Sequence, residues 1–262
     1  MPAPCAGRSR RFPARPAARA RSAARCSPVR AASAARTAIP TERAVTRLAV
    51  FDLDGTLVDS RRDVAQAVLH GLAAVGGNAV QETALYACIG RPLDDIFREL
   101  LGGDDDEARV QRAADAYRTY YFDHCADHTT PYPGAREALA ALDGRWTKAV
   151  CTNKRTYMAK RLLDLLDLSH HFGVVLGADD LPHKPDPAML KSIMDRFAAA
   201  PATTVMIGDT WMDVEAGRRA GAKTCGAAFG DGARAELLEA GPDRIIEAFA
   251  ELPDALRALT GE

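Results

Sequence analysis

The chain has 262 residues, 47% of them apolar, enough to bury a sizeable core, and no apolar run approaches the ~20 residues needed to span a bilayer. A soluble protein with no membrane partner is expected. Its 34 Lys and Arg nearly balance 35 Asp and Glu, but removing the eight arginines of residues 1–31 leaves 26 basic against 35 acidic side chains, a formal charge of −9 that argues against nucleic acid as a partner.

Residues 1–41 hold nine arginines among many Ala, Pro and Ser and no Asp, Glu or Lys, so they cannot build a core. That is the composition of an organelle transit peptide, and Val29-Arg30-Ala31-Ala32 looks like a chloroplast processing site cut after Ala31. A presequence over 1–31, disorder to about residue 44 and a location in the chloroplast stroma are expected, with the mitochondrion as the alternative. A basic tail that binds something anionic would share this composition.

The fold is expected to begin near residue 45. Leu48 to Phe51 is an apolar run that gives way to Asp52, Asp54, Gly55 and Thr56, the pattern of a buried parallel strand ending in a turn. Ligands of open α/β sheets collect outside such strand ends, which places both carboxylates where chemistry is done, although Asp-Gly also suits an Asx turn. Ser60 with Asp63 reads as a capping box opening a helix that ends at Gly76-Gly77. Further helices are expected over Gln81 to Cys88, over Leu93 to Leu101 with Pro92 at the first position, and over Glu107 to Cys125. Nothing from 60 to 127 reads as a strand. His124 and His128, four apart with no third ligand evident, read as solvated.

From Pro131 strand and helix alternate, which implies a parallel sheet with helices on both faces. Strands are expected at Trp146–Thr152, Gly173–Gly177, Thr203–Gly208, Lys223–Phe229 and Arg244–Ile246, with helices between them and at the end. Pro187 reads as a first helical residue with Asp186 as its cap, and Thr210 with Asp213 as a second capping box. Cys88, Cys125, Cys151 and Cys225 show no metal-ligand spacing and read as reduced core residues, with Cys151 a redox candidate only through its place beside Thr152.

Phe51 through Ser60, Thr152-Asn153-Lys154, Lys184-Pro185-Asp186-Pro187 and the Gly208-Asp209-x-x-x-Asp213 ending occur in the order, and with the spacing, of the four signatures of haloacid dehalogenase superfamily phosphatases. The chain resembles that superfamily from about Leu48 to Gly230, and is most similar to its phosphoglycolate phosphatase branch. The resemblance implies a doubly wound, Rossmann-like α/β core over 45–59 and 128–262, with an all-helical cap inserted over 60–127. It also implies roles. Asp52 matches the nucleophile and Asp54 the acid/base residue, while Lys184 matches the lysine that neutralises charge on Asp52 and the phosphoryl oxygens. Thr152, with the backbone amide of Asn153, matches the phosphoryl-oxygen donors. Four carboxylates around a phosphate dianion would repel it unless cations intervene, and Mg²⁺ suits an all-oxygen site. Asp52, the backbone carbonyl of Asp54, and Asp209 match the metal ligands, and Asp213 matches a residue that supports the site directly or through water.

Arg91, in the cap loop Ile89-Gly90-Arg91-Pro92, is a candidate for a substrate carboxylate or second phosphate. The substrate expected is a small phosphorylated metabolite, 2-phosphoglycolate first. A pyrophosphatase, a sugar-phosphate phosphatase and a β-phosphoglucomutase-like enzyme are the alternatives, and a catalytically silent binding scaffold is the alternative of a different class. The oligomeric state is not readable.

Overall fold

A computed structural model describes residues 46–103, 106–230 and 232–261. The expected presequence and the start of the fold at residue 45 lie outside these. The elements in chain order are β1 (Leu48–Phe51), β2 (Val58–Asp59), α1 (Arg61–Ala74), a 3-10 helix (Glu82–Cys88), α2 (Leu93–Leu100), α3 (Glu107–His124), β3 (Thr130–Pro131), α4 (Ala135–Ala141), β4 (Thr147–Thr152) and α5 (Thr156–Leu165). They continue with β5 (Val174–Gly177), α6 (Ala188–Phe197), β6 (Thr204–Gly208), α7 (Trp211–Ala220), β7 (Lys223–Ala227), α8 (Arg234–Ala240), β8 (Arg244–Ile246) and α9 (Leu252–Thr260). None of the described helices is long and apolar enough to cross a membrane.

The expected parallel sheet is present in the order β5-β4-β1-β6-β7-β8. Along β1, Ala49 and Phe51 enter one apolar cluster while Leu48 and Val50 enter the other. Both faces of the sheet are thus covered, which is why these strands read as unbroken apolar runs rather than alternating ones. The chain crosses from β1 to β4 on one side and later returns to β6 on the other. Phe51 pairs with both Val150 and Ile207, so the carboxyl ends of β1, β4 and β6 open side by side at a topological switch point.

The helices between β2 and β3 form the expected insertion, with Val68, Leu72, Phe97, Val110 and Tyr121 among its buried side chains. The segment from Glu82 to Cys88 is a 3-10 helix rather than an α-helix, and α2 starts one residue after Pro92. At the base of the insertion, β2 and β3 form a two-residue antiparallel ladder, Val58 to Pro131 and Asp59 to Thr130. Strands this short carry no periodicity from which to expect them.

One expectation needs correction here. Ser60 and Asp63 form no capping box, because each side chain has a distant partner. The Ser60 hydroxyl donates to Asp54 Oδ1 at 2.6 Å. Asp63 accepts from the backbone amides of His128 and Thr129 and from the Thr129 hydroxyl at 2.7–2.9 Å, and its Oδ1 lies 2.9 Å from His128 Nδ1. Burial pushes the Asp63 carboxyl up, but these hydrogen bonds outweigh it and hold the group below the usual carboxylate range. The two histidines of this region have separate partners, His124 Nδ1 lying 2.8 Å from Asp127 and His128 Nδ1 2.9 Å from Asp63.

Candidate active site

Asp52 continues β1 by one hydrogen bond, its amide donating to the Ile207 carbonyl at 2.8 Å, and its side chain is buried at the strand end. The chain then turns sharply, with the Leu57 amide returning to the Leu53 carbonyl at 2.9 Å. Gly55 makes that turn with φ +83°, and a Cβ there would sit 2.3 Å from Asp209 Oδ2, so the turn and the close approach both require glycine. Thr56, just beyond, donates its hydroxyl to Asp209 Oδ1 at 2.8 Å, and the Gly232 amide donates to Oδ2 at 2.7 Å. Asp209 is thereby fixed from two sides at the end of β6.

Asp213 combines two functions. It forms the expected capping box, its Oδ2 accepting from the amide and hydroxyl of Thr210 at 3.1 and 2.6 Å. Its Oδ1 accepts from Lys184 Nζ at 2.6 Å, and the same ammonium lies 2.7 Å from Asp52 Oδ1. Gly208 makes room for this, because a Cβ there would lie 2.1 Å from Asp213 Cγ. Lys184 is held in its loop by its own amide, which donates to Asn153 Oδ1 at 2.8 Å. Downstream the helix starts one residue later than expected, at Ala188, and the Asp186 carboxylate accepts that residue's amide at 2.8 Å.

Asp52, Asp209 and Asp213 each offer an oxygen within 4.8 Å of the other two. Burial pushes Asp52 up to about 7, with Lys184 acting against it and Asp213 and Asp54 adding to it. Asp209 is pushed well above the usual carboxylate range by burial first and then by Asp52 and Asp213. Burial works against the Lys184 ammonium, but Asp213 and Asp52 outweigh it and keep the lysine charged. One ammonium against three buried carboxylates leaves excess negative charge, which a divalent cation bound by these oxygens would cancel. The donor set is all oxygen, so it suits a hard cation.

Beside this cluster a cavity of about 160 Å³ runs between core and insertion, and Asp52, Asp54, Arg91, Thr152, Asn153 and Lys154 all line it. Thr152 Oγ1 accepts the Lys154 amide at 3.2 Å, leaving its O–H to donate. Asn153 Nδ2 donates to the Gly90 carbonyl of the insertion at 2.9 Å. Arg91 reaches the cavity, but Glu99 holds its guanidinium at 2.6 Å. Cys151 is buried behind Thr152, and burial pushes its thiol up to about 12, which removes the thiolate that redox chemistry would need at neutral pH.

Three residues here were not singled out from sequence. Lys154 Nζ meets Asp54 Oδ1 at 2.6 Å and donates to Tyr121 Oη at 2.7 Å. Arg118 lines the cavity from α3, and its buried Nε–H has no hydrogen-bond partner among the described residues. Their signals were weak, since Lys154 meets Tyr121 and Asp54 from far away in the chain and the Arg118 Nε–H has no partner among the described residues.

The chain is similar to known proteins in sequence and in fold. The family model for haloacid dehalogenase-like hydrolases matches residues 49–227. The phosphoglycolate phosphatase of Aquifex aeolicus is 33% identical over 186 residues, covering 70% of this chain and 85% of its own. A protein of Dickeya dadantii named "Probable phosphatase IndB" is 35% identical over 216 residues, with 81% and 94% covered. Among solved structures, a "predicted phosphoglycolate phosphatase" from Haemophilus somnus superposes with a TM-score of 0.74 at 27% identity, covering 80% of this chain and 97% of that one. With the signature residues converging at one set of strand ends and the family model spanning sheet and insertion alike, the chain belongs to the haloacid dehalogenase-like hydrolase family, among its phosphatases.

Proposed function

We propose that the protein hydrolyses a small phosphomonoester, 2-phosphoglycolate first among the candidates, through an aspartyl phosphate on Asp52. The observation that carries this reading is the meeting of Asp52, Asp54 and Thr152 around one cleft, with Lys184 2.7 Å from Asp52 in the buried acidic cluster beside it. In the first step an Asp52 carboxylate oxygen attacks phosphorus and the ester P–O bond breaks. The departing oxygen takes a proton from Asp54. In the second step Asp54 accepts a proton from water as the water oxygen attacks phosphorus. The bond to Asp52 then breaks, releasing inorganic phosphate. Lys184 offsets negative charge on Asp52 and on the phosphoryl oxygens, an effect largest in a dry site. Thr152 and the Asn153 amide donate to those oxygens.

Asp52, Asp209 and the Asp54 carbonyl would hold Mg²⁺, which supplies charge neutralisation for the phosphoryl group when bound. Asp213, whose oxygens also accept from Lys184 and Thr210, would support that cation directly or through water. Several relatives are named phosphoglycolate phosphatase, which supports that substrate, and the free Nε–H of Arg118 offers a partner for its carboxylate.

Phosphate release from 2-phosphoglycolate, pyrophosphate, sugar phosphates and nucleotides tests the reading. The expected result is release that a chelator abolishes and Mg²⁺ restores, fastest with 2-phosphoglycolate. Release from another ester would change the substrate, and none from any would remove the hydrolase reading. We also propose that residues 1–31 address the chain to the chloroplast stroma, with the mitochondrion as the alternative. Import into isolated chloroplasts should yield a product whose first residue is Ala32, and a product starting elsewhere would reject that cleavage site.

A further inference from the structure

The carboxylate assigned to acid–base work is held in an uneven way. Among the described residues, both side-chain partners of Asp54 meet the same oxygen, Oδ1. Ser60 Oγ donates to it at 2.6 Å and Lys154 Nζ lies 2.6 Å away. Oδ2 is left for the reacting group. Lys154 reaches Asp54 from 100 positions along the chain, out of the turn after β4. Its ammonium also donates to Tyr121 Oη at 2.7 Å and lies 4.4 Å from the centre of the Tyr121 ring. Tyr121 is fully buried in α3 and stacks on Tyr117 at 5.4 Å with the rings 7° from parallel.

A buried ion pair contributes little net stability, because desolvation offsets the attraction between the charges. Lys154 and Asp54 have side chains only 6% and 9% exposed, so packing alone gives little reason for them. Their geometry does. A hydroxyl and an ammonium on one oxygen fix the rotation of the carboxylate, and the tyrosine fixes the ammonium by a hydrogen bond and a cation–π contact. Through Tyr121 the orientation of Asp54 depends on a helix of the insertion, not only on the sheet.

We propose that Lys154, braced by Tyr121, is the positioning residue that presents Asp54 Oδ2 to the leaving oxygen and makes that alignment depend on the placement of α3. The inference rests on the phosphatase reading above. It assigns no proton transfer to Lys154 or Tyr121.

General-acid help matters most for poor leaving groups, so leaving-group dependence separates misplacement of the acid from general damage. Lys154→Met and Tyr121→Phe would be compared with the full-length wild type in Mg²⁺, on p-nitrophenyl phosphate and on an alkyl phosphate. The pre-steady-state release of the leaving group isolates transfer to Asp52. Lys154→Met is expected to lose about 100-fold on the alkyl ester and under about fivefold on the aryl ester, with Tyr121→Phe showing about 10-fold and the same contrast. Equal losses on both esters, or no loss, in variants that keep the wild-type circular dichroism would overturn the proposal. Should Lys154→Met not fold, Tyr121→Phe, which keeps the ring, decides alone. A wild type inactive on both esters would instead sink the phosphatase reading itself, and this proposal with it.

Discussion

Asp52→Asn is expected to lower turnover by at least about 10⁴-fold while leaving the fold intact and, without metal, no less stable. The amide keeps the size and shape of the carboxylate, so Phe51 and the pairing of β1 with β4 and β6 are undisturbed. It is not nucleophilic toward phosphorus, so no aspartyl phosphate can form. The stability half of the expectation follows from charge. Burial pushes Asp52 up to about 7 in the folded state, against 3.8 for the unfolded group. The folded state therefore binds more protons between those values, and ionised Asp52 lowers stability progressively as pH rises through that window. Asparagine removes this cost while Lys184 keeps its contact with Asp213. Thermal unfolding in chelator at neutral pH should place the variant at or above the wild type. Added Mg²⁺ should then reverse the order, because it binds the native wild type through a carboxylate the variant lacks. A variant that turns over at a rate near wild type would end the covalent mechanism. One that is inactive but markedly less stable in chelator would show that Asp52 is not in a site of excess negative charge.

The contrast between inactive and stable reflects what was legible in the sequence. Strands β1, β4 and β6 are buried on both faces and read as apolar runs, and the residues that follow them fall at the sheet's carboxyl edge by topology alone. Asp52 was therefore placed by local pattern plus one rule about sheets, and Thr152 and Asp209 by the family resemblance, at strand ends that the same rule favours. Local rules failed where a distant group competed for the same side chain. Ser60 and Asp63 have the spacing of a capping box, yet Asp54, His128 and Thr129 take both side chains. The Thr210–Asp213 box did form, but spacing could not reveal that the other oxygen of Asp213 accepts from Lys184. Arg91 was legible as a cleft residue but not as the partner of Glu99, which requires the corner between the 3-10 helix and α2. Lys154 stood in plain view in Thr152-Asn153-Lys154, but its partners lie 33 and 100 positions away.

Lys184→Met is expected to cost both activity and stability, with a pH dependence that identifies the cause. The ammonium is 2.7 Å from Asp52 and 2.6 Å from Asp213, and all three side chains are at most 4% exposed. Methionine fills similar space but leaves two buried carboxylates without their cation. Breaking one partner out of a buried ion network typically costs about 3–5 kcal/mol, because the remaining charge stays desolvated. The loss of the charge beside the phosphoryl group should lower turnover by at least about 10²-fold. Burial already raises Asp52, and Lys184 is the largest influence holding it down. Removing Lys184 therefore moves the folded-state value higher still, while the unfolded value stays at 3.8. Below about 7 the folded wild type also keeps its Asp52 proton, so the titration of Asp52 adds nothing to the deficit there. As pH rises through about 7, the folded wild type releases a proton that the folded variant retains, so the gap between variant and wild type should widen above neutral pH. Chemical denaturation of both proteins from acid to mildly alkaline pH, in chelator, gives the gap directly and cancels titrations common to the two. A deficit independent of pH would mean that the lysine stem, through packing, rather than its charge holds this part of the molecule together. A deficit that grows with pH would tie the stability of the strand ends to the same ammonium that the chemistry requires.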